Sequence, residues 1–202
     1  MSINSYTELK AAIADWINRD DLTDERLGDF VQLAETRIFR DLRVPTMERY
    51  VNLTTDSQGR VTLPAGYLEA KNVFFNDKTL SRISLSQFFT YTPLEGTPEF
   101  FTRETLYLRV WPTPPAGTAG LKMVYFIEPP RLSATVATNS VFNMAPELYL
   151  YGSLIAAGIY LGSPPEKLAL WSQSFDDAMS RITRQAILDE TSGATPTVLS
   201  GY

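Results

Sequence analysis

Apolar residues recur along this chain first at helical spacing, then in alternation, then at helical spacing again, and each change predicts a change of structure. In the opening stretch Tyr6, Leu9, Ile13, Trp16 and Ile17 fall three and four apart to about Arg19, which predicts a helix, and Ser5-Tyr6-Thr7-Glu8 fits a capping box at its start. A second helix starts at Thr23, with Asp24 and Glu25 at its positive end. Its stripe is Leu27, Phe30, Val31, Ala34 and Ile38, it runs toward Asp41, and Pro45 closes it. The linker 18–22 is short, so these two helices are expected to lie antiparallel.

After Pro45 the period becomes alternating. Tyr50-Val51-Asn52-Leu53-Thr54 and Arg60-Val61-Thr62-Leu63, joined by a polar turn ending at Gly59, predict a β-hairpin. Residues 68–75 form a mixed apolar run, and Asn76-Asp77-Lys78 signals a turn. Ser84 can cap a short helix to Thr90 that places Leu85, Phe88 and Phe89 on one side. Residues 105–112 and 121–126 alternate and carry aromatic and β-branched side chains, and Pro129-Pro130 ends the sheet. The middle of the chain therefore reads as about six short strands.

Helical spacing returns at 144–162, where Leu148, Leu150, Leu154, Ile155, Ile159, Tyr160 and Leu161 leave no wet side, so neighbours must cover this helix all round. Pro146 lies near its start and Gly162 at its end. Its uninterrupted apolar run is about fifteen residues, short of the roughly 17 that cross a bilayer. Gly152, Ser153, Ala156, Ala157 and Gly158 let neighbouring backbones approach. Ser163 is expected to cap the last helix, with Pro164 at its first position and Glu166 completing the box. That helix carries Leu168, Trp171, Phe175, Ala178, Ile182 and Ala186 as one stripe over 165–189. The resulting fold class is α+β: a four-helix bundle with a small antiparallel β-domain, sandwich or barrel, inserted in it. The first helix pair occupies 1–45, the β-domain 46–143 and the second pair 144–190, followed by an extended arm, 191–202.

Composition narrows the chemistry. With 202 residues, 44% of them hydrophobic, the chain can bury a sizeable core. It has no cysteine and no histidine, which removes disulfides, thiolate and Ser-His nucleophiles, the usual base near neutral pH and the commonest transition-metal ligands. No cofactor or metal is implied, and an enzyme would need carboxylate, lysine or tyrosine chemistry. The net charge of −5 argues against a dedicated nucleic-acid binder, although an acidic protein can surround DNA without gripping it. The N-terminal MSINSYTELK lacks the basic and apolar regions of a leader, so synthesis in the cytoplasm is expected.

Arg37, Arg40 and Arg43 share a face near the end of the second helix, with Arg49 soon after. They read either as a solvated face that favours the helix C-terminus or as a contact with a neighbouring subunit or an acidic partner. Trp16, Trp171 and Phe175 read as core. In Phe74-Phe75, Phe88-Phe89 and Phe100-Phe101, adjacent strand residues face opposite ways, so one of a pair can reach an interface. Glu95, Glu99, Glu104 and Glu147 are the residues available to a carboxylate-pair enzyme, such as one that cleaves peptidoglycan. A receptor-binding or carbohydrate-binding module is a third class, and it leaves the capped helix pairs without a role.

Several short segments occur in a familiar order: Ser5-Tyr6-Thr7-Glu8-Leu9-Lys10, Asp15-Trp16-Ile17-Asn18-Arg19, Ala34-Glu35-Thr36-Arg37-Ile38 and Asp41-Leu42-Arg43. They continue with Val61-Thr62-Leu63-Pro64, Gly96-Thr97-Pro98, Val124-Tyr125-Phe126 and Pro146-Glu147-Leu148-Tyr149-Leu150-Tyr151. In this order and spacing the chain resembles the head-to-tail adaptor proteins of short-tailed bacteriophages, the tail tubular protein A and related connectors. The resemblance implies a structural virion protein and not an enzyme, forming a ring of about twelve copies under the portal vertex. It also implies portal protein, tail nozzle protein and tail fibre protein as partners, with genomic DNA passing through the lumen without sequence-specific binding and no membrane association. The segment 191–202 reads either as a frayed end or, on the same resemblance, as an arm that orders on a portal or neighbouring subunit through Val198, Leu199 and Tyr202.

Overall fold

A computed structural model of the chain describes residues 3–19 and 21–191. The elements in chain order are α1 (Tyr6–Ile17), α2 (Asp24–Asp41), β1 (Glu48–Leu53), β2 (Arg60–Thr62), β3 (Tyr67–Phe75), β4 (Lys78–Thr79), β5 (Ser81–Arg82) and α3 (Leu85–Phe88). They continue with β6 (Phe100–Glu104), β7 (Tyr107–Trp111), β8 (Leu121–Ile127), α4 (Ser140–Met144), α5 (Pro146–Leu161) and α6 (Pro165–Thr191). This is a mixed α+β chain with six helices among the described residues. It divides into two compact units: residues 1–46 with 129–202, and residues 47–128.

The helix ends of the first unit follow local chemistry. Ser5 Oγ accepts from the Glu8 N–H at 3.2 Å, while the Glu8 carboxylate accepts from Asn4 N–H at 2.6 Å, one residue beyond the reciprocal partner of a capping box. Asn18 at φ 57° ends α1, with its N–H on Asp15 O and the Arg19 N–H on Ala14 O. Thr23 Oγ1 accepts from Arg26 N–H at the start of α2. Gly162 at φ 66° closes α5 in the same way as Asn18, with its own N–H on Ile159 O and that of Ser163 on Gly158 O. Ser163 is thus spent on ending α5. The carbonyl of Pro164 accepts from Lys167 and Leu168, and Pro165 takes the first helical position, so α6 starts one residue later than the sequence predicts.

Helix α5 packs against α1, α2, α4 and α6. It buries Leu148, Tyr149, Leu150, Leu154 and Ala157, together with Gly152, Ser153 and Gly158. A Cβ on Gly152 would lie 2.8 Å from the Ala34 Cβ of α2, so close approach of α2 and α5 depends on that glycine. Two expectations are corrected here. The predicted rod 144–162 is the single helix α5, and the short α4, which the sequence did not announce, ends at Met144 just before it, because Ala145 leaves helical geometry and Pro146 restarts it. It also has a wet end, with Ile159 68% and Tyr160 58% exposed, since the covering helices do not envelop its last turn. Trp16, expected in the core, is 47% exposed and meets Tyr151 edge-on at 5.9 Å, because it lies in the last turn of α1, beyond the buried Leu9, Ala12 and Ile13. Trp171 and Phe175 are buried as expected.

In the second unit the strands form two sheets ordered β1-β8-β3-β4 and β2-β7-β6-β5, with every pairing antiparallel except β5 with β6. Ala70, Val73, Phe75, Leu121, Met123 and Tyr125 of one sheet share a core with Val61, Phe101, Leu108 and Val110 of the other. The expected hairpin between 50–54 and 60–63 does not form: β1 pairs with β8 and β2 with β7. The loop between them is closed by Asp56, whose Oδ1 accepts from the N–H groups of Gln58 and Arg60 at 2.8 Å. It hands the chain from one sheet to the other, and each strand takes the partner that buries its apolar face. Asn76 and Asp77, both at positive φ, make the β3-β4 turn that the sequence signals.

Candidate functional site

The arginine face of α2 separates into different roles. Arg37 lies 4.3 Å over the Phe175 ring and 3.4 Å from Asp176 Oδ1, both on α6, so it ties two helices of the same unit together. Arg43 turns back on its own helix end, where Nη1 donates to Phe39 O at 3.1 Å and to Leu42 O at 2.7 Å. Arg40 stands exposed. Arg131, which sequence reasoning did not single out, reaches the same helix and donates to Thr36 Oγ1 at 3.1 Å.

A second feature arises from unequal lengths. Helix α5 has 16 residues and α6 has 27, so α6 runs about 16 Å past the start of α5. The free end carries Ile182 and Ala186, the last two positions of the apolar stripe. With Val44, Pro45 and Met144 they line a cleft of about 350 Å³, to which Arg181 and Asp189 contribute charge. Sequence reasoning missed this cleft, although the difference in length between the two periodic stretches was its signal.

On the second unit, α3 supplies Phe88 to the outer face of the β2-β7-β6-β5 sheet, capped by Ser84 Oγ on Gln87 N–H as the sequence predicts. The Arg109 guanidinium lies 4.9 Å over the Phe88 ring. Glu104 Oε2 is 3.3 Å from Arg60 Nε and 3.5 Å from Arg109 Nη1, so one carboxylate bridges two cations. Beyond them Tyr91 stacks on Trp111 at 4.4 Å, with Phe100 opposite Trp111 in the strand register. Of the phenylalanine pairs, Phe75, Phe88 and Phe101 are buried, Phe74 and Phe100 are half-buried, and Phe89 is 61% exposed with Leu94 nearby in sequence at 53%.

The glutamates named for carboxylate chemistry are dispersed. Glu104 is held by the two arginines, Glu99 is exposed with its N–H on Trp111 O, and Glu95 lines a cleft with Leu94 and Arg109. Glu147 belongs to the other unit, in a polar cleft with Tyr151, Asp177 and Arg181. Among the described residues no group of three or more acidic side chains is placed to hold a metal ion. Val198, Leu199 and Tyr202 lie outside the described residues.

What these surfaces can do is bind, through aromatic and apolar patches flanked by charge. A model of the family described as SU10 adaptor protein matches residues 4–198. No curated protein matches the chain.

Proposed function

The chain belongs to the SU10 adaptor protein family, and from that membership we propose that it serves as the head-to-tail adaptor of a bacteriophage particle, of the tail tubular protein A kind. The family match over residues 4–198 is the observation that carries this reading. Among the described residues no helix is long and apolar enough to cross a membrane. In the proposed arrangement residues 1–45 and 144–190 form a four-helix bundle carrying an inserted β-domain. About twelve copies close into a ring below the portal, prolong the DNA channel and receive tail nozzle and fibre proteins. The negative net charge suits a lumen through which DNA passes without being gripped. Exposed Leu33, Ile159, Tyr160, Leu170, Ile187 and Leu188 offer apolar area on the first unit, and closure of a ring sums weak pairwise contacts into a stable assembly.

Arg40 is the member of the arginine face best suited to test this, because Arg37 and Arg43 have structural work inside the unit. Mass measurement of the purified protein with and without portal protein is expected to give a ring for the wild type. The variant Arg40→Glu should keep its fold and lose ring formation or tail docking; a ring that forms and docks unchanged removes Arg40 from the interface. Truncation after Glu190 is expected to preserve the fold and abolish portal attachment, and attachment that persists removes Val198, Leu199 and Tyr202 from that role.

A further inference from the structure

We propose that the cleft on the outer face of the β2-β7-β6-β5 sheet binds an acidic saccharide, a short sugar chain bearing a carboxylate, through Arg109. Leu108 and Val110 belong to the core of the second unit, so alternation along β7 turns Arg109 the other way, onto the outer face. There it helps to line a cleft of about 470 Å³, with Ser57 and Gln58 from the loop after β1 on one side, Leu94 and Glu95 from the segment after α3 on the other, and Thr113 beside them. Its volume falls within the roughly 300–1,000 Å³ of small-molecule sites. Both walls are fixed. Asp56 closes the loop, as described above, while the Thr113 N–H donates to Leu94 O at 2.8 Å and the Gly96 N–H to Thr113 O at 3.0 Å. Trp111 Nε1 donates to Thr92 O at 3.1 Å, which pins the second wall where Tyr91 stacks on Trp111. The cleft is therefore formed before any ligand arrives, and little ordering opposes binding.

The chemistry of the lining selects the ligand. Among the described residues the Arg109 guanidinium makes one hydrogen bond, from Nη2 to the Gln58 carbonyl at 3.4 Å, and its Nε is buried without a partner. Glu104, 3.5 Å away, is shared with Arg60, so two guanidiniums face one carboxylate. Phe88 holds the Arg109 fork from the side, and a planar fork with unused N–H donors is matched by a second carboxylate, which accepts two of them at once. Around that fork the Ser57 and Thr113 hydroxyls, the Gln58 amide and the Glu95 carboxylate offer the mixture of donors and acceptors that sugar hydroxyls pair with. Leu94, 53% exposed, presents apolar surface to the C–H face of a pyranose ring. A simple aliphatic acid would leave the polar lining without partners, and a neutral sugar would leave the arginine fork unfilled. An acidic sugar meets both.

The test titrates the full chain with three probes, digalacturonate, its neutral counterpart digalactose, and acetate, while the methyl resonances of Leu94 and Thr113 are followed. Digalacturonate is expected to shift both resonances saturably, digalactose to bind about tenfold more weakly or worse, and acetate to leave them in place at the same concentration. Arg109→Lys keeps the charge but gives up the fork, and should weaken digalacturonate binding by about tenfold. Leu94→Ser changes an exposed side chain, leaves the backbone bond to Thr113 intact, and should also weaken binding. The proposal is overturned by unmoved resonances at millimolar digalacturonate, by equal affinity for digalactose, by an equal response to acetate, or by unchanged affinity in either folded variant. The comparison of probes needs no variant, so a failure of Arg109→Lys to fold does not remove the test. Neither ring formation nor portal attachment enters these measurements, so their result is independent of the adaptor reading.

Discussion

Asn139 shows how much one side chain can organise. Its Oδ1 accepts from Phe142 N–H at 2.8 Å, which caps α4, and from the Tyr149 hydroxyl at 2.9 Å, while its Nδ2 donates to Pro130 O at 2.9 Å. Asn139→Ala removes a cap and strands a buried hydroxyl, so denaturant unfolding should show a loss of about 3 kcal/mol. Tyr149 is fully buried, and burial pushes its hydroxyl well above the ordinary value of 10.0, with the buried Glu35 acting in the same direction. A tyrosine raised in this way contributes its full stability below pH 10.0 and loses it as pH climbs toward the folded pKa. Unfolding free energy should therefore fall above that pH, at up to about 1.4 kcal/mol per pH unit for this one group, and Tyr149→Phe should flatten the decline. None of this was legible in the sequence. The segment 131–141 has no period, and a lone asparagine there looks like any turn residue until Tyr149 and Pro130 come together around it.

At the scale of elements the glycines of α5 do different work. Gly152 is buried against α2, where an added Cβ would meet Ala34 Cβ at 2.8 Å and Phe175 Cε2 at 3.2 Å. Gly152→Val should destabilise the protein by about 1–3 kcal/mol through overpacking, read as a lower urea midpoint with an unchanged slope. Gly162, with open space around the position of its missing Cβ, serves the left-handed turn that ends the helix. The helices were legible because caps and stripes are local: Ser5, Thr23, Pro146 and Gly162 all mark ends that exist. Strand partners were not, because pairing joins residues far apart in sequence. The loop 54–59 resembles a hairpin turn, yet it joins strands of different sheets. The true hairpin between β6 and β7 turns on Thr105-Leu106, with Thr105 at φ 54° and neither Gly nor Asn to announce it. Candidate surfaces were legible in kind but not in place. The arginines lay on one face as expected, but only packing could assign Arg37 to Asp176 and leave Arg40 exposed.

At the scale of the molecule, the sequence order conceals that the chain builds one unit, leaves it for residues 47–128, and returns to finish it. The excursion has its own core, from Val61 to Tyr125, and each of its sheets is completed within it. A fragment covering 47–128 should therefore fold alone and melt cooperatively; a chemical-shift spectrum without dispersion would refute that autonomy. The register also pairs Glu48 with Phe126, so the excursion begins and finishes on adjacent strands, about 5 Å apart. Two feet planted side by side make that excursion a cassette. It can be lifted out, or traded for another module of any size whose ends meet as closely, while the helices continue from one stub to the next across a short splice.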